Sequence, residues 1–184
     1  MNPEPDSKDW TWVLDEMCPQ CGFDTRSPQR AALAGLTAVV GQRWAEAMAM
    51  QPAPTLRPAP AVWSPLEYAC HVRDVFRLFD ERLRLMLETD APQFANWDQD
   101  VTAIEDRYDR QDPAVVAGEL VAAGHAHAAR WETVRPDQWD RTGYRSDGAV
   151  FTVDSFARYL LHDPIHHLDD VARGNRVLAD GELD

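Results

Sequence analysis

Three cysteines in 184 residues leave this chain without the material for a disulfide framework. The odd count at Cys18, Cys21 and Cys70, with no framework spacing, suits a reducing compartment. Positive charge is also scarce: 18 Lys and Arg stand against 31 Asp and Glu, a formal net charge of −13. No stretch gathers enough Lys and Arg to neutralise a phosphate backbone, which argues against nucleic acid as a partner. Nowhere do about 18 uncharged apolar residues run together, so no membrane span is expected. The opening MNPEPDSKDW is polar, with no apolar targeting segment behind it. There is no Ser-His-Asp nucleophile pattern and no Gly-rich phosphate loop. These absences together lead to the expectation of a soluble, cytoplasmic protein.

Hydrophobic residues make up 45% of the chain, enough for one core at this length. Residues 1–26 read as an arm that packs on the domain surface, because Trp10, Trp12, Val13 and Leu14 are too apolar for a disordered tail. Residues 27–184 read as the domain itself. A first helix is predicted to start with Ser27 as N-cap and Pro28 in its first turn, running through Leu33, Leu36, Val40, Trp44 and Met48. The proline-rich QPAPTLRPAPAV stops it. Ser64, Pro65 and Glu67 spell a capping box for a second helix that runs to about Glu88.

Residues 89–112 read as acidic and irregular, anchored by Trp97 and Tyr108. Asp112 and Pro113 start a third helix, with Val116, Leu120, Ala123, His127 and Trp131 about one turn apart. Asp147 and Gly148 mark a small hairpin within residues 134–152. A fourth helix, capped near Thr152 or Asp154, is predicted to end at Arg173 with Gly174 as its stop. Four amphipathic patterns and little strand signal indicate an all-α, four-helix bundle.

The chemistry-bearing residues gather on two of these helices. His162 and His166 stand at i and i+4, and His71 lies mid-way along the second helix. Two neutral imidazoles on one helix face and a third from a facing helix make a three-nitrogen metal site with open coordination positions. Three separately satisfied core histidines are the plain alternative. His167 is rotated about 100° from His166 and reads as a surface or supporting residue. His125 and His127, two apart, cannot share a face. Pro164 interrupts the backbone bonding inside the H-x-x-x-H segment, either to aim the two rings or to relieve packing. Asp170, Asp169, Asp163 and Asp74 are positioned to accept imidazole N–H groups. Glu67, one turn before His71, is the candidate proton-handling carboxylate or fourth ligand, in competition with its capping role. Cys70 reads as a small buried hydrophobe.

The segments WSPLEYACHVRDV and HDPIHHLDDV resemble the two signature stretches of the DinB-like superfamily, which takes in the YfiT-like proteins and the mycothiol- or bacillithiol-dependent transferases and isomerases. The resemblance spans roughly residues 27–174. It implies a bundle of up-down-down-up order and a divalent metal, often zinc or nickel, held by one histidine of the second helix and two of the fourth. On this sequence those positions are His71, His162 and His166. The resemblance does not extend to the arm, where Cys18-x-x-Cys21 within CPQCG admits three readings: a knuckle completed by His or carboxylates, a redox dithiol, or reduced cysteines in a Pro-Gly turn.

The functional expectation is a transferase or isomerase in which a low-molecular-weight thiol is activated on the ion, with Arg73 or Arg173 orienting an anionic thiol or substrate. Either arginine equally fits a surface ion pair. Hydrolysis by an activated water is one alternative, and a non-catalytic metal-binding stress protein the other. Seven tryptophans suit either a homodimer interface or pocket walls.

Overall fold

The computed structural model describes residues 9–95 and 97–181. Its elements are α1 (Leu33–Ala49), α2 (Pro65–Glu88), β1 (Gln93–Phe94), α3 (Gln99–Glu105), α4 (Pro113–Glu132), β2 (Thr142–Arg145), β3 (Val150–Thr152) and α5 (Val153–Asp180). Among the described residues no helix is long and apolar enough to cross a membrane.

Cross-helix pairs fix the order of the bundle. Gly41 of α1 meets Leu120 and Gly124 of α4, while Gly124 lies against Thr37, so these two helices run antiparallel. Arg73 reaches Glu119 and Asp80 reaches Arg130, which makes α2 and α4 parallel. Phe79 stacks on Phe156 with centroids 4.6 Å apart, and His71 lies opposite Asp163, so α2 and α5 are antiparallel. Trp44 donates its indole N–H to the Pro164 carbonyl, and Arg30 just before α1 pairs with Asp154 at the start of α5. The order is therefore up-down-down-up, an all-α four-helix bundle. Its core includes Trp44, Leu66, Phe76, Leu83, Leu120, Phe156 and Leu160, each almost wholly buried.

Caps written in the sequence begin three of the four long helices. Ser64 accepts from the Glu67 N–H while Glu67 accepts from the Ser64 N–H, completing the α2 capping box. Asp112 accepts from Ala114 and Val115 at the head of α4, and Thr152 caps α5. The hairpin forms at Asp147 and Gly148, with Gly148 in the left-handed region. Two-residue β1 adds in parallel to β2, giving sheet order β1-β2-β3.

Three boundaries differ from the sequence reading, each for a tertiary reason. Ser27 does not cap α1: its hydroxyl and N–H both bond the Asp24 carbonyl, and Arg158 of α5 takes the Pro28 carbonyl. The chain instead passes through a short 3₁₀ turn at Arg30–Ala32 before α1 begins at Leu33. Residues 89–112 hold α3, capped by Asp98, which is too short to show a periodic stripe. Gly174 does not end α5, which continues to Asp180 with Gly181 at φ 70° as its cap. Its small size serves packing instead, since a Cβ there would lie 3.1 Å from the Pro58 ring.

The closest helix contact is between α1 and α4. A Cβ on Gly41 would meet the Leu120 carbonyl oxygen at 3.1 Å and the Gly124 Cα at 3.3 Å, and backbone atoms of a packed helix cannot swing aside. Gly41→Val is therefore expected to destabilise the protein by about 2 kcal/mol in urea unfolding. Gly118→Ala, which meets open space on the exposed side of α4, should leave stability unchanged or raise it by up to about 1 kcal/mol. Equal stability of both variants would contradict the packing argument.

Candidate metal centre

Successive helical residues are rotated by about 100°, so α5 presents two neighbouring stripes with the same four-residue spacing. One carries Asp163 and His167 and faces α2. The other carries His162 and His166 and faces the amino-terminal arm. Among the described residues, the donor atoms fall into two groups, each within 4.8 Å: His71 with Asp163 and His167, and Cys18 and Cys21 with His162 and His166. The trio read from spacing, His71, His162 and His166, is thus divided between the groups. The reason is helical rotation: the stripe turned toward α2 is the one beginning at residue 163.

In the first group, His71 Nε2 lies 3.5 Å and His167 Nε2 lies 3.8 Å from the same oxygen, Asp163 Oδ2. Both separations exceed hydrogen-bond length. They match the spread of ligand atoms around an ion, since donors about 2.1 Å from a tetrahedral centre stand about 3.4 Å apart. His71 is 1% exposed, and neither of its ring nitrogens has a hydrogen-bond partner. Two orphaned nitrogens of this kind are costly unless something else satisfies them.

Trp97 stacks on the His71 ring at 5.4 Å and 9°, and Trp63 flanks it at 5.3 Å. Tyr68 covers the His167 ring at 5.0 Å. Asp170 is bonded to His167 Nδ1 at 2.7 Å, leaving Nε2 turned toward Asp163. The Asp163 side chain is 30% exposed, so the group reaches solvent along that edge. Burial raises the Asp163 carboxyl, but His71 and His167 outweigh it and bring the group down to about 2.

The second group is built from α5 and the arm. Cys18 is wholly buried, and its sulfur lies 3.6 Å from His166 Nδ1. His162 Nε2 is buried without a hydrogen-bond partner. Burial holds both rings neutral, His162 down to about 4 with help from the neighbouring His166, and His166 below the ordinary imidazole value. Trp10 packs on both, with centroids at 5.6 and 4.9 Å.

The other residues singled out in the sequence have defined partners. Glu67 accepts from the Ser64 N–H and hydroxyl, both at 2.8 Å, and pairs with the Arg57 guanidinium through both of its oxygens. Arg73 bonds Asp74, Gln111 and Glu119, and Arg173 bonds Asp169 and Asp170. Asp74 is taken up by Arg73 and by the Tyr108 hydroxyl at 2.6 Å. Cys70 is buried, and burial raises its thiol to about 12, as expected of an inert core cysteine. Sequence reasoning gave Asp163 and His167 only flanking roles. The signal was present, because D-x-x-x-H at 163 and 167 repeats the spacing of H-x-x-x-H at 162 and 166.

Burial raises the Glu67 carboxyl, but the bonds from Arg57 and Ser64 outweigh it, so its pKa lies below the ordinary 4.5. A depressed folded-state pKa means stability that is present above about pH 4.5 and lost as pH falls through the folded value. Glu67→Gln is expected to cost about 1–3 kcal/mol at pH 7 and to flatten the acid limb of the stability profile below pH 4.5. Thermal unfolding from pH 3 to 7 checks this. A variant with wild-type stability throughout would show that the carboxylate is not structural.

A family model of the DinB superfamily matches residues 42–171. Among solved structures, the chain is similar to YfiT from Bacillus subtilis, described as a probable metal-dependent hydrolase with an unusual four-helix bundle topology. That match has a TM-score of 0.74 at 16% identity and covers 82% of this chain and 88% of the other. No curated protein matches the chain. With the family model spanning well over half its length, the chain belongs to the DinB superfamily.

Proposed function

We propose that this protein is a metal-dependent enzyme acting on a small molecule, with His71, Asp163 and His167 as ligands of one divalent ion. The observation that carries the reading is the convergence of the two Nε2 atoms on Asp163 Oδ2, beside a histidine with both nitrogens orphaned. Two imidazoles and one carboxylate suit zinc, nickel or iron. Three protein donors leave coordination positions open, the arrangement that separates catalytic from structural sites. When bound, an ion there supplies Lewis-acid chemistry, polarising a carbonyl and bringing the pKa of a water to about 7 or that of a thiol below about 8.5.

The chain's own groups prepare that position. Asp170 holds the His167 Nδ1 proton and so fixes which ring nitrogen faces the site. Trp63 and Trp97 keep water from the buried side of His71, leaving approach along the exposed Asp163 edge. Glu67 is committed to Arg57 and the α2 cap, so it is not the proton handler in this reading.

Hydrolysis is the reaction supported best, because YfiT, with the same fold, is described as a probable metal-dependent hydrolase. Thiol transfer, implied by the sequence resemblance, uses the same open positions. It lacks a free cation in Arg73 or Arg173, both engaged by carboxylates.

Metal content of purified protein should fall by about one equivalent per chain in each of His71→Ala, Asp163→Ala and His167→Ala. If His71, His162 and His166 share one ion instead, His71→Ala, His162→Ala and His166→Ala will lose the same equivalent while Asp163→Ala and His167→Ala keep it. Metal-loaded protein should cleave activated esters or amides with no thiol present, and His71→Ala should lose at least about 100-fold in kcat/KM. Turnover of monochlorobimane only with mycothiol, bacillithiol or cysteine would replace hydrolysis by thiol transfer. Stoichiometric metal with neither activity would overturn the enzymatic reading.

A further inference from the structure

From the four donors Cys18, Cys21, His162 and His166 we infer a second metal site, a closed, structural zinc centre that fastens the amino-terminal arm to α5. Their donor atoms lie within 4.8 Å of one another. Cys18, His162 and His166 are 0%, 4% and 6% exposed, and Cys21 is half-buried. Two thiolates and two imidazoles are the ligand set of a tetrahedral structural zinc, and the spacings C-x₂-C and H-x₃-H fall within those such sites use. His162 Nε2 has no hydrogen-bond partner, and Cys18 Sγ stands 3.6 Å from His166 Nδ1. Ligands about 2.3 and 2.1 Å from a shared tetrahedral ion stand about 3.6 Å apart.

The backbone that carries the two cysteines is a hydrogen-bonded turn. Gly22 donates to the Cys18 carbonyl at 2.8 Å from a left-handed conformation with φ 72°, and Cys18 donates to the Phe23 carbonyl at 3.0 Å. On the histidine side, His166 Nε2 lies 3.6 Å from Asp170 Oδ2, so a carboxylate backs the ring on the edge away from Cys18. Asp170 is also bonded to His167, which places one carboxylate between the two groups. Zinc binding would release the two thiol protons, with no change of oxidation state.

This site shares no ligand with the one in the proposed function, so the two stand or fall separately. Protein purified with zinc should hold about two equivalents per chain, and the Cys18→Ser/Cys21→Ser variant about one. His71→Ala should lose the other equivalent and keep this one. Cobalt(II) substituted into wild type and into His71→Ala should show thiolate-to-cobalt charge-transfer bands that Cys18→Ser/Cys21→Ser lacks. If the cysteine variant fails to fold, X-ray absorption of zinc-loaded wild type decides the matter, with sulfur expected near 2.3 Å and nitrogen near 2.0 Å. An all-nitrogen-and-oxygen zinc shell, or a Cys18–Cys21 disulfide in protein purified without oxidant, would overturn the inference.

Discussion

The rotational setting of α5 is the constraint on which both donor groups depend. Its His162/His166 stripe must face the arm and its Asp163/His167 stripe must face α2, and about 100° of twist separates them. A turn of the helix by one residue's worth would break both at once. Three contacts along its length hold the setting. Trp44 donates to the carbonyl of Pro164, in the middle of the histidine segment. Phe156 stacks on Phe79 one end away, and Arg158 bonds the Thr25 and Pro28 carbonyls, tying α5 to the chain just before α1. Pro164 lacks an N–H and so leaves the Leu160 carbonyl without its helical donor, yet its own carbonyl is used for this anchoring.

Electrostatics follows from the same placement. In a chain of net charge −13, the arginines nearest the two groups are engaged by carboxylates: Arg73 by Asp74 and Glu119, Arg57 by Glu67, Arg173 by Asp169 and Asp170. What remains around the imidazoles of α5 is carboxylate, with Asp163 against His71 and His167, and Asp170 against His166 and His167. Imidazoles backed by carboxylates form a site that favours a cation and offers nothing to an anion. The aromatic cover of Trp10, Trp63, Tyr68 and Trp97 lowers the local dielectric and strengthens that preference.

The bundle was legible because its decisive signals are local. Ser64-Pro65-x-Glu67, Asp112-Pro113 and the Asp147-Gly148 turn each act within four residues, and all three form as read. Signals whose meaning is tertiary misled. Ser27-Pro28 has the form of a helix start, but Asp24 and Arg158 claim its groups, and Gly174 has the form of a helix stop but makes room for Pro58. The candidate site also combines local and tertiary signals. His71 and the α5 histidines are visible in the sequence as metal-binding types, whereas which of two stripes of identical spacing lies beside His71 depends on how α5 is turned against α2, which no periodicity within α5 records. Cys18 and Cys21 were read as a turn with open alternatives because their neighbours, His162 and His166, lie at the far end of the sequence.

The composition of the two donor groups argues for different tasks. Four donors, two of them sulfur, complete a tetrahedron and leave no place for an incoming molecule. Three donors, one a partly exposed carboxylate, do not complete it. On the proposed assignment, the arm is then a structural part of the centre, because the centre it closes fixes His166, and His166 adjoins Asp170, the residue that orients His167. A ligand pair at residues 163 and 167 and another at 162 and 166 cannot be adjusted independently, since both ride on one helix. Precision gained at the closed centre is therefore passed, through the backbone of α5 and the shared Asp170, to the open one.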